Sequence, residues 1–456
     1  MQSGWKECLA CGAQAARRGV HMYSPHESVT ASSSLETSAA SKVLLVHNSY
    51  RQPGGEDQVV NAEANLLRSY GHEVLLYEAT NADIHNPLAV LGQMVWNQTS
   101  FRELRALVQR TRPDVVHVHN TFPVISPAVL YAAAEERVPV VHTLHNYRLL
   151  CPAAIFYRDG QVCEECVHSR NFLPAVFHAC YRHSHLTTAA AAATLTAHRL
   201  ARSWQRHVAA YIALTEFARQ KFVENGFDPC KMHVKPNFIR LDPGMGSGNG
   251  GYALFVGRLA EEKGIVTLLR AWKQLEDRFQ LEIIGEGPLS SEVKAAQLTM
   301  SNVRWHGWLP KDQVLARMQR ANMLIIPSEW YEGFPVTLLE AFATGLPALV
   351  SRIGSLAGLV EEKKTGVQFE AGNAVELADK TRFLFTNPDL LWQMRRACRE
   401  EYEKKYTAEA NYAILTGIYG AVLNSHCESS GPFSRNYVSS IKSEKTGKPK
   451  AVMSAL

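Results

Sequence analysis

The sequence predicts an α/β protein with two doubly wound, Rossmann-like domains that face each other across a cleft. Short apolar runs alternate with amphipathic helical patterns along most of the 456 residues, as expected for parallel strands joined by helices. The alternation is interrupted by one glycine-rich stretch, residues 242–251, and then restarts. A chain of this length with 46% hydrophobic residues can also bury two separate cores.

Each strand of the two sheets is predicted from a short apolar run that precedes a polar or amphipathic stretch. The first half contains four such runs: Val43–Val46, Glu73–Tyr77, Val115–Val118 and Val138–Leu144. The second half contains five: Tyr252–Val256, Leu281–Ile284, Val303–Trp305, Met323–Ile326 and Ala348–Val350. Helical periodicity between these strands is clearest over Gly264–Leu275 and Pro310–Arg320.

This pattern divides the chain into an N-terminal domain, residues 42–240, and a C-terminal domain, residues 241–425. Residues 1–41 are rich in Ser, Ala and His, and residues 426–456 lose periodicity, so both ends are predicted to be disordered. Met22 is an alternative start to Met1. Residues 151–180 form a cysteine-containing insertion in the first domain.

The composition excludes several classes of protein. A formal charge of +5 without blocks of like charge argues against nucleic acid as a partner and favours a local basic site for an anionic ligand. No apolar run reaches the ~18 residues of a membrane span, and the first ~40 residues have no apolar signal core. We therefore expect a cytoplasmic protein.

The most informative segment is E-G-F-P-V-T-L-L-E, with Glu332 and Glu340 at its two ends. Pro335 suits the first position of a helix, so the unpaired N–H groups of that helix could bind a diphosphate. Glu332 would lie on the preceding loop and accept hydrogen bonds from sugar hydroxyls, while Glu340 could hold a ribose diol. The alternative is an ordinary turn followed by an ordinary helix glutamate. The donor-binding residues predicted in this segment are Gly333, Phe334, Val336, Thr337 and Glu340, with the Leu338 N–H beside them.

Three strands of the first domain end in the same dipeptide, at His47-Asn48, His119-Asn120 and His145-Asn146. Open parallel sheets bind ligands at the carboxyl ends of their strands, so the three pairs are predicted to line one crevice. Each histidine alone could equally be a structural residue. Gly54 and Gly55 follow the first strand and precede a helix, where a glycine loop allows a ligand to approach the backbone or simply forms a turn.

Two cations follow the first strand of the second domain, in the segment G-R-L-A-E-E-K-G. Arg258 and Lys263 could both reach one diphosphate beside Gly257 and stabilise its charge as a metal otherwise would. The alternative is that both are surface charges. No D-x-D pair that could bind a metal occurs in a suitable place, which favours a metal-independent reaction.

Four cysteines fall within thirty residues after the His145 strand: Cys151, Cys163, Cys166 and Cys180. A C-x-x-C pair with two outlying cysteines has the ligand number of a tetrahedral zinc or iron–sulfur site, and disulfides are disfavoured in the cytosol. Unrelated free thiols in a loop are an equal alternative. Cys8 and Cys11 form a second C-x-x-C pair without further partners.

The segment Pro327 to Ser351, P-S-E-W-Y-E-G-F-P-V-T-L-L-E-A-F-A-T-G-L-P-A-L-V-S, resembles the signature of retaining glycosyltransferases of family 4. The glycine loop, the strand before His145 and the Gly257–Gly264 segment lie in the same order as in that family. The resemblance covers roughly residues 42 to 418 and implies the two-domain GT-B fold. It also implies that the helices around 388–424 cross back to the first domain.

In function, the resemblance implies a nucleotide diphospho-sugar donor, hexosyl transfer with retention of configuration and no side-chain nucleophile or catalytic cofactor. It places His145 near the donor sugar, with Arg258, Lys263 and Glu332 as the other catalytic residues, and Glu286 near the base or phosphates. The acceptor would be a glycan, a lipid-linked sugar or a small molecule, as in polysaccharide or glycoconjugate biosynthesis. A lipid-linked acceptor would bring the protein into peripheral contact with the inner face of the membrane.

Two other classes fit the same fold. One is a non-catalytic nucleotide-sugar-binding protein, against which the full set Arg258, Lys263, Glu332 and Glu340 argues. The other is a GT-B isomerase or phosphorylase, which a donor hydrolysis assay would distinguish.

Overall fold

The computed structural model describes residues 41–49, 54–81, 87–275 and 278–429. The two ends that were predicted to be disordered lie almost entirely outside these residues, and so does the Cys8–Cys11 pair. The exception is residues 426–429. There the last helix continues to Ser429, a few residues beyond the predicted end of the second domain.

The first half forms a six-stranded sheet in which every neighbouring pair is parallel. Its strands are β1 (Lys42–Ser49), β2 (Glu73–Thr80), β3 (Val115–Asn120), β4 (Val140–Leu144), β7 (Ala210–Ala213) and β8 (Met232–Val234). A two-stranded antiparallel hairpin, β5 (Tyr157–Arg158) and β6 (Gln161–Val162), lies in the cysteine insertion. The spatial order is β2-β1-β3-β4-β7-β8, so the order reverses between β1 and β3.

Nine α-helices connect these strands: α1 (Gly55–Ser69), α2 (Pro87–Val95), α3 (Gln98–Thr111), α4 (Ala128–Glu135), α5 (Glu165–His168), α6 (Leu173–Phe177), α7 (His185–Leu200), α8 (Ser203–His207) and α9 (Glu216–Glu224), counted within the described residues. A 3₁₀ turn, Pro229–Lys231, precedes β8.

The second half repeats the architecture with a six-stranded parallel sheet. Its strands are β9 (Tyr252–Val256), β10 (Gln280–Ile284), β11 (Val303–Trp305), β12 (Met323–Ile326), β13 (Ala348–Ser351) and β14 (Gly366–Phe369). The order β11-β10-β9-β12-β13-β14 is that of a dinucleotide-binding sheet, which reverses between β9 and β12. The fold class predicted from the sequence is therefore confirmed.

The helices of this half are α10 (Ile265–Gln274), α11 (Ser290–Thr299), α12 (Lys311–Arg320), α13 (Val336–Ala343), α14 (Gly354–Leu359), α15 (Ala374–Phe385), α16 (Pro388–Lys405) and α17 (Ala408–Ser429), with a 3₁₀ turn at Glu261–Lys263 before α10. None of the described helices is long and apolar enough to cross a bilayer.

Helix α17 leaves the second half and packs on the first sheet. Leu415, Ile418 and Val422 share a buried cluster with Val43 and Leu45 of β1. The Tyr412 ring also stacks on Tyr70 at a centroid distance of 3.7 Å. The C-terminal helix thus belongs to the core of the N-terminal sheet and ties the two halves together.

Strand predictions were accurate where the apolar run is continuous, and Tyr252–Val256, Val303–Trp305 and Met323–Ile326 match the structure at both ends. The sequence analysis missed β7, β8, β14 and the β5–β6 hairpin. These strands have two to four residues each, too few for a period to stand out from neighbouring helices.

Candidate active site

A cleft of about 370 Å³ lies where the carboxyl ends of the two sheets meet. Val256 and Gly257, at the end of β9, and Ile326 and Ser328, at the end of β12, line it from the second sheet. These two strands flank the point where the order of that sheet reverses, which is where open α/β sheets bind ligands. The first half contributes Gly55, Glu56, Val59, His145, Leu214 and Asn237.

Glu332 lies in the middle of this cleft and is 5% exposed. Its Oε1 accepts hydrogen bonds from Ser328 Oγ at 2.6 Å and from Lys263 Nζ at 2.8 Å. The Lys263 ammonium also lies 4.9 Å from the centre of the Trp330 ring. An anionic carboxylate and a cation are therefore held together in the cleft, each within reach of a ligand.

Two glycines make this arrangement possible. A side chain at Gly333 would bring a Cβ within 2.8 Å of the His145 carbonyl oxygen, so the Glu332 loop can approach the first domain only with glycine there. Gly264 has φ +71°, and a Cβ there would overlap the Pro327 carbonyl oxygen at 1.8 Å. Gly264 thereby allows the turn that carries Lys263 to pack against the end of β12.

Helix α13 begins directly behind the carboxylate and directs its N-terminus into the cleft, which Val336 and Thr337 line. The sequence analysis put Pro335 at the first helical position, but Pro335 precedes the helix and has extended backbone angles. The Leu338 N–H, predicted to be available to a ligand, donates to the Pro335 carbonyl at 3.1 Å. The available donors are therefore limited to the first turn before Leu338.

His145 follows β4 and lines the cleft from the first domain. Its Nε2 lies 2.9 Å from His119 Nδ1, and the two rings stack at 5.2 Å. Burial lowers the pKa of His119 to about 3 and that of His145 well below its usual value. Both imidazoles are therefore neutral at physiological pH.

Behind His119 lies a buried carboxylate, Glu63 of α1, whose Oε1 is 3.2 Å from His119 Nε2 and 3.0 Å from His117 Nδ1. Its other oxygen pairs with Lys235 Nζ at 2.8 Å. Burial alone would raise the pKa of Glu63, but Lys235, His117 and His119 together hold it well below its usual value.

The ionised carboxylate favours one protonation pattern of the two histidines in line with it. Glu63 Oε1 and His119 Nε2 lie 3.2 Å apart without hydrogen-bond geometry, but a negative charge so close favours the His119 tautomer with its proton on Nε2. The His119 Nδ1 then accepts from His145 Nε2–H. The His145 Nδ1 then keeps a lone pair. Among the described residues, Glu63, His117 and His119 are the only set of three or more His, Cys, Asp or Glu side chains whose possible metal-ligand atoms all lie within 4.8 Å of one another. Lys235, however, already balances the charge of Glu63. A buried divalent ion there would add uncompensated positive charge.

The prediction that three His-Asn pairs line one crevice was wrong in part. His145 lines the cleft, and the His119-Asn120 and His145-Asn146 pairs together line a small second cavity of about 40 Å³, whereas His47 is buried and lines neither. His47 Nε2 instead contacts Asp57 of α1 at 2.8 Å. The strand ends do converge as expected, but their side chains mainly support one another.

The remaining predicted residues divide into two groups. Gly55, Gly257, Gly333 and Phe334 line the cleft, and Gly54 caps α1 next to it. Arg258, Glu286 and Glu340 do not line it. The Arg258 side chain is 62% exposed and pairs with Glu262, and Glu340 is buried on α13 and pairs with Lys311.

Burial raises the pKa of Glu340, and Lys311 opposes that rise. Ser328, Trp330 and Glu63 were not predicted. Ser328 and Trp330 stand within the recognised signature, so their position beside Glu332 was a usable signal. Nothing in the sequence near Glu63 indicates its contacts.

All four cysteines of the insertion are free thiols, with Cys151 and Cys166 buried and Cys163 and Cys180 partly exposed.

Two doubly wound domains with a ligand cleft at their facing carboxyl edges define the GT-B class of glycosyltransferases. Residues 53–243 match the family described as Glycosyltransferase Family 4, and residues 247–405 match Glycosyl transferases group 1. Together the two matches span most of the chain, which belongs to glycosyltransferase family 4.

Individual proteins agree with this assignment. The chain is 27% identical to a 2-deoxystreptamine N-acetyl-D-glucosaminyltransferase from Niallia circulans, over 37% of this chain and 44% of that protein. It is 24% identical to TuaC of Bacillus subtilis, a putative teichuronic acid biosynthesis glycosyltransferase, over 59% of this chain and 62% of that protein. The chain thus spans about half the length of these curated relatives.

The crystal structure of Anabaena HepE in complex with UDP superimposes with a TM-score of 0.59 over 83% of this chain and 100% of that chain. At 16% sequence identity this likeness supports the fold alone.

Proposed function

We propose that this chain transfers a hexosyl group from a nucleotide diphospho-sugar to an acceptor, with retention of anomeric configuration and without a metal. The observation that carries the proposal is the convergence of Lys263, Glu332 and His145 on one cleft. Two of these residues come from the second domain and one from the first. A ligand bound there would be enclosed by both halves.

The donor diphosphate would bind at the start of α13. The N–H groups of Val336 and Thr337 and the positive end of the helix dipole favour an anion there. Lys263, 2.8 Å from Glu332, could turn its ammonium to the same phosphates. Arg258 is exposed and could join them only by leaving Glu262.

The energetic problem is departure of the nucleoside diphosphate, which builds negative charge on its terminal phosphate. A fixed cation in a cleft shielded from water stabilises such charge strongly. Lys263 would supply it, which is why we propose a metal-independent reaction. Glu332, whose loop position the Ser328 hydroxyl fixes, would accept hydrogen bonds from hydroxyls of the transferred sugar.

His145 would face the same sugar from the first domain. Its neutral ring could bond a hydroxyl group and help to orient the anomeric carbon toward the acceptor. The acceptor would attack on the face that the diphosphate leaves, and the donor phosphate oxygen would take the acceptor proton. No enzyme nucleophile takes part, and configuration is retained.

One relative is a 2-deoxystreptamine N-acetyl-D-glucosaminyltransferase, and another is named for teichuronic acid biosynthesis. They support an acceptor that is a glycan, a lipid-linked sugar or a small molecule, and a role in polysaccharide or glycoconjugate biosynthesis. A cytoplasmic location with peripheral contact at the inner face of the membrane follows from a lipid-linked acceptor.

The test is release of nucleoside diphosphate from a panel of nucleotide sugars, with mass spectrometry of the products. A transferase releases the diphosphate and adds one hexosyl mass to an acceptor or to water. Binding of a nucleotide sugar without release would instead support a non-catalytic binding protein. Interconversion of the sugar, or phosphorolysis of a glycan, would support the isomerase or phosphorylase alternative.

A further inference from the structure

Residues 166–215 of the first domain contain basic side chains but no Asp or Glu. The segment has five arginines, six histidines and no lysine. Across the whole chain 43 of 456 residues are acidic, nearly one in ten, so their absence from fifty successive residues is a local feature. The segment includes α6, α7 and α8, which lie between β6 and β7 in the chain. This part of the first domain therefore has a positive charge of its own.

Four large apolar side chains in this segment are exposed to solvent. Leu173 and Phe177 on α6 are 62% and 77% exposed, and Leu186 and Leu200 on α7 are 56% and 79% exposed. Leu186 and Leu200 are fourteen residues apart, nearly four helical turns, so they lie on the same face of α7 and about 21 Å apart along its axis. The residues between them on that face are alanines: Ala190, Ala193 and Ala197. Large apolar side chains grouped on an exposed face indicate an interaction site.

Two contacts hold α6 antiparallel against α7. The His185 Nδ1 atom lies 2.8 Å from the Val176 carbonyl oxygen, which joins the end of α6 to the start of α7. Arg199, near the end of α7, donates to the Arg170 carbonyl at 3.5 Å and holds its guanidinium 4.7 Å from the centre of the Phe172 ring, directly before α6. The exposed side chains of α6 therefore lie alongside the apolar face of α7.

Exposed arginines stand at both ends of these two helices. Arg170 precedes α6, Arg182 precedes α7 and Arg202 follows α7, and all three are exposed. The α6–α7 surface comprises these arginines and the exposed apolar residues: Leu173, Phe177, Leu186, Leu200, Arg170, Arg182 and Arg202. It places cations at both ends of an apolar face, in a segment without acidic residues.

This composition distinguishes among candidate partners. A second copy of the chain bound through the same face would bring like charges together at a two-fold interface. A nucleic acid would pair with the arginines but would leave the leucine and phenylalanine side chains in water. A bilayer with anionic lipids satisfies both parts, because apolar side chains enter the boundary between headgroups and acyl chains while arginines contact the anionic headgroups.

We propose that the α6–α7 surface binds a bilayer that contains anionic lipids, with Phe177 and Leu200 inserted at the interface. These two side chains are the most exposed of the four apolar residues. Each arginine close to an anionic membrane strengthens binding by about fivefold, so three arginines together with the apolar side chains are enough for reversible attachment.

Helix α7 also links this surface to the candidate active site. Its opposite face packs in the core of the first domain, where Thr194 and Leu195 line the small cavity of about 40 Å³ together with His145. Attachment through α7 would therefore bring the His145 side of the cleft close to the bilayer, where a lipid-linked acceptor resides. This consequence for the acceptor rests on the proposed function, whereas the membrane surface itself does not.

Sedimentation of the full chain with lipid vesicles tests the surface without a nucleotide sugar. We expect binding to vesicles of phosphatidylcholine and phosphatidylglycerol that is at least about tenfold tighter than binding to phosphatidylcholine alone. Raising the ionic strength from ~0.1 M to ~1 M shortens the Debye length from about 10 Å to about 3 Å and should weaken the binding. Equal binding to both kinds of vesicle, or no binding to the anionic one, would overturn the proposal.

Two double variants test the residues assigned to the surface. Phe177→Gln/Leu200→Gln should weaken binding to the anionic vesicles by at least about tenfold, because two apolar side chains no longer enter the interface. Arg182→Gln/Arg202→Gln should weaken it by about 25-fold and should hardly change binding to phosphatidylcholine alone.

The matched controls change exposed residues of the second domain. Leu298 and Val375 are 79% and 58% exposed, and the Arg270 and Arg396 side chains are exposed as well. Leu298→Gln/Val375→Gln and Arg270→Gln/Arg396→Gln should keep wild-type binding, although the second of them loses the same two charges as the arginine test variant. All four variants alter exposed side chains and should keep the wild-type melting temperature. An equal loss of binding in the controls, or wild-type binding by the folded test variants, would contradict the assignment.

Two further measurements separate the membrane surface from a dimer interface and from the proposed activity. Self-association of the wild type in analytical ultracentrifugation, abolished by Phe177→Gln/Leu200→Gln and without vesicle binding, would assign the surface to a second copy and overturn the proposal. Donor hydrolysis in the absence of vesicles should be equal in the wild type and in the surface variants. A wild type that hydrolyses no nucleotide sugar would count against the proposed function, while vesicle binding would still decide the membrane surface.

Discussion

The buried pair of Glu63 and Lys235 offers a sharp test of how the first domain supports His145. Glu63→Gln removes the negative charge and keeps the shape of the side chain. Lys235 is 1% exposed, and its ammonium lies 2.8 Å from Glu63 Oε2. The substitution would leave that ammonium buried without a counter-charge, with only neutral acceptors as partners: the new amide oxygen and the Asn411 oxygen at 3.1 Å.

Leaving one member of a buried ion pair unpaired costs about 3–5 kcal/mol. The free energy of unfolding of an ordinary domain is about 5–15 kcal/mol, so this loss is a large fraction of it. For a domain of this size it corresponds to a fall in melting temperature of about 10 °C. Urea denaturation followed by circular dichroism measures it directly.

Two further variants test whether the unpaired charge causes this loss of stability. Glu63→Gln/Lys235→Met removes both charges and should recover most of the lost free energy of unfolding. Glu361→Gln breaks an exposed pair with Lys364 and should change that free energy by less than about 1 kcal/mol. A free energy of unfolding for Glu63→Gln within about 1 kcal/mol of wild type would refute the reasoning.

The recovered double variant also isolates the effect on His145. Without the negative charge of the carboxylate, His119 loses its preference for a proton on Nε2, and His145 loses its preferred tautomer with it. We expect kcat to fall by at least about tenfold at little change in donor KM, as when the orienting partner of a functional histidine is removed. A shift in donor KM alone would mean that His145 acts only in binding.

Three other predictions follow from the site. Lys263→Ala should lower turnover at least ~100-fold, and Arg258→Ala should do the same if Arg258 also reaches the diphosphate. Activity within a few-fold of wild type at saturating donor would show that the substituted residue does not stabilise the diphosphate. Glu332→Gln should act mainly on kcat, because its sugar contact strengthens in the transition state. Glu340→Gln should act mainly on donor KM if the buried Glu340 exchanges Lys311 for the donor ribose. Steady-state kinetics showing the reverse would mean that the donor lies in the opposite orientation. Burial lowers the pKa of His119 to about 3 in the folded protein, below the value of ~6.5 in the unfolded chain. The unfolded chain therefore binds the proton first, and the stability that His119 contributes is lost as pH falls from ~6.5 toward 3. A free energy of unfolding that stays constant between pH 7 and 5 in urea titrations would contradict the buried neutral imidazole.

The fold could be predicted because each sheet is parallel and buried on both faces. Strands such as Tyr252–Val256 read as uninterrupted apolar runs, and the glycine-rich segment marks the point where the pattern restarts. β14, Gly366–Phe369, was missed because it is short and includes Gly366, whose added Cβ would meet the Ala348 carbonyl oxygen at 1.9 Å. That close approach depends on the neighbouring strand, which a local pattern cannot report.

The candidate site likewise contains residues whose positions the sequence predicts and residues whose positions it does not. The position of Glu332 could be predicted because loop, carboxylate and helix start all lie within nine residues. Glu63 could not be predicted, since it is one of two glutamates in an ordinary amphipathic helix, and only closure of the sheet brings it to His117 and Lys235. The sequence also could not distinguish Lys263, which faces the cleft, from Arg258, which faces solvent, because the turn between them decides their directions.

The most direct test of the central claim is the anomeric configuration of a transferred sugar. Nuclear magnetic resonance of the product formed from a nucleotide sugar of known configuration, with Lys263→Ala as the matched control, gives it in one experiment. The account predicts a glycoside with the configuration of the donor, formed without added metal and at least ~100-fold more slowly by the variant. An inverted product, or transfer that Lys263→Ala leaves undiminished, would contradict it.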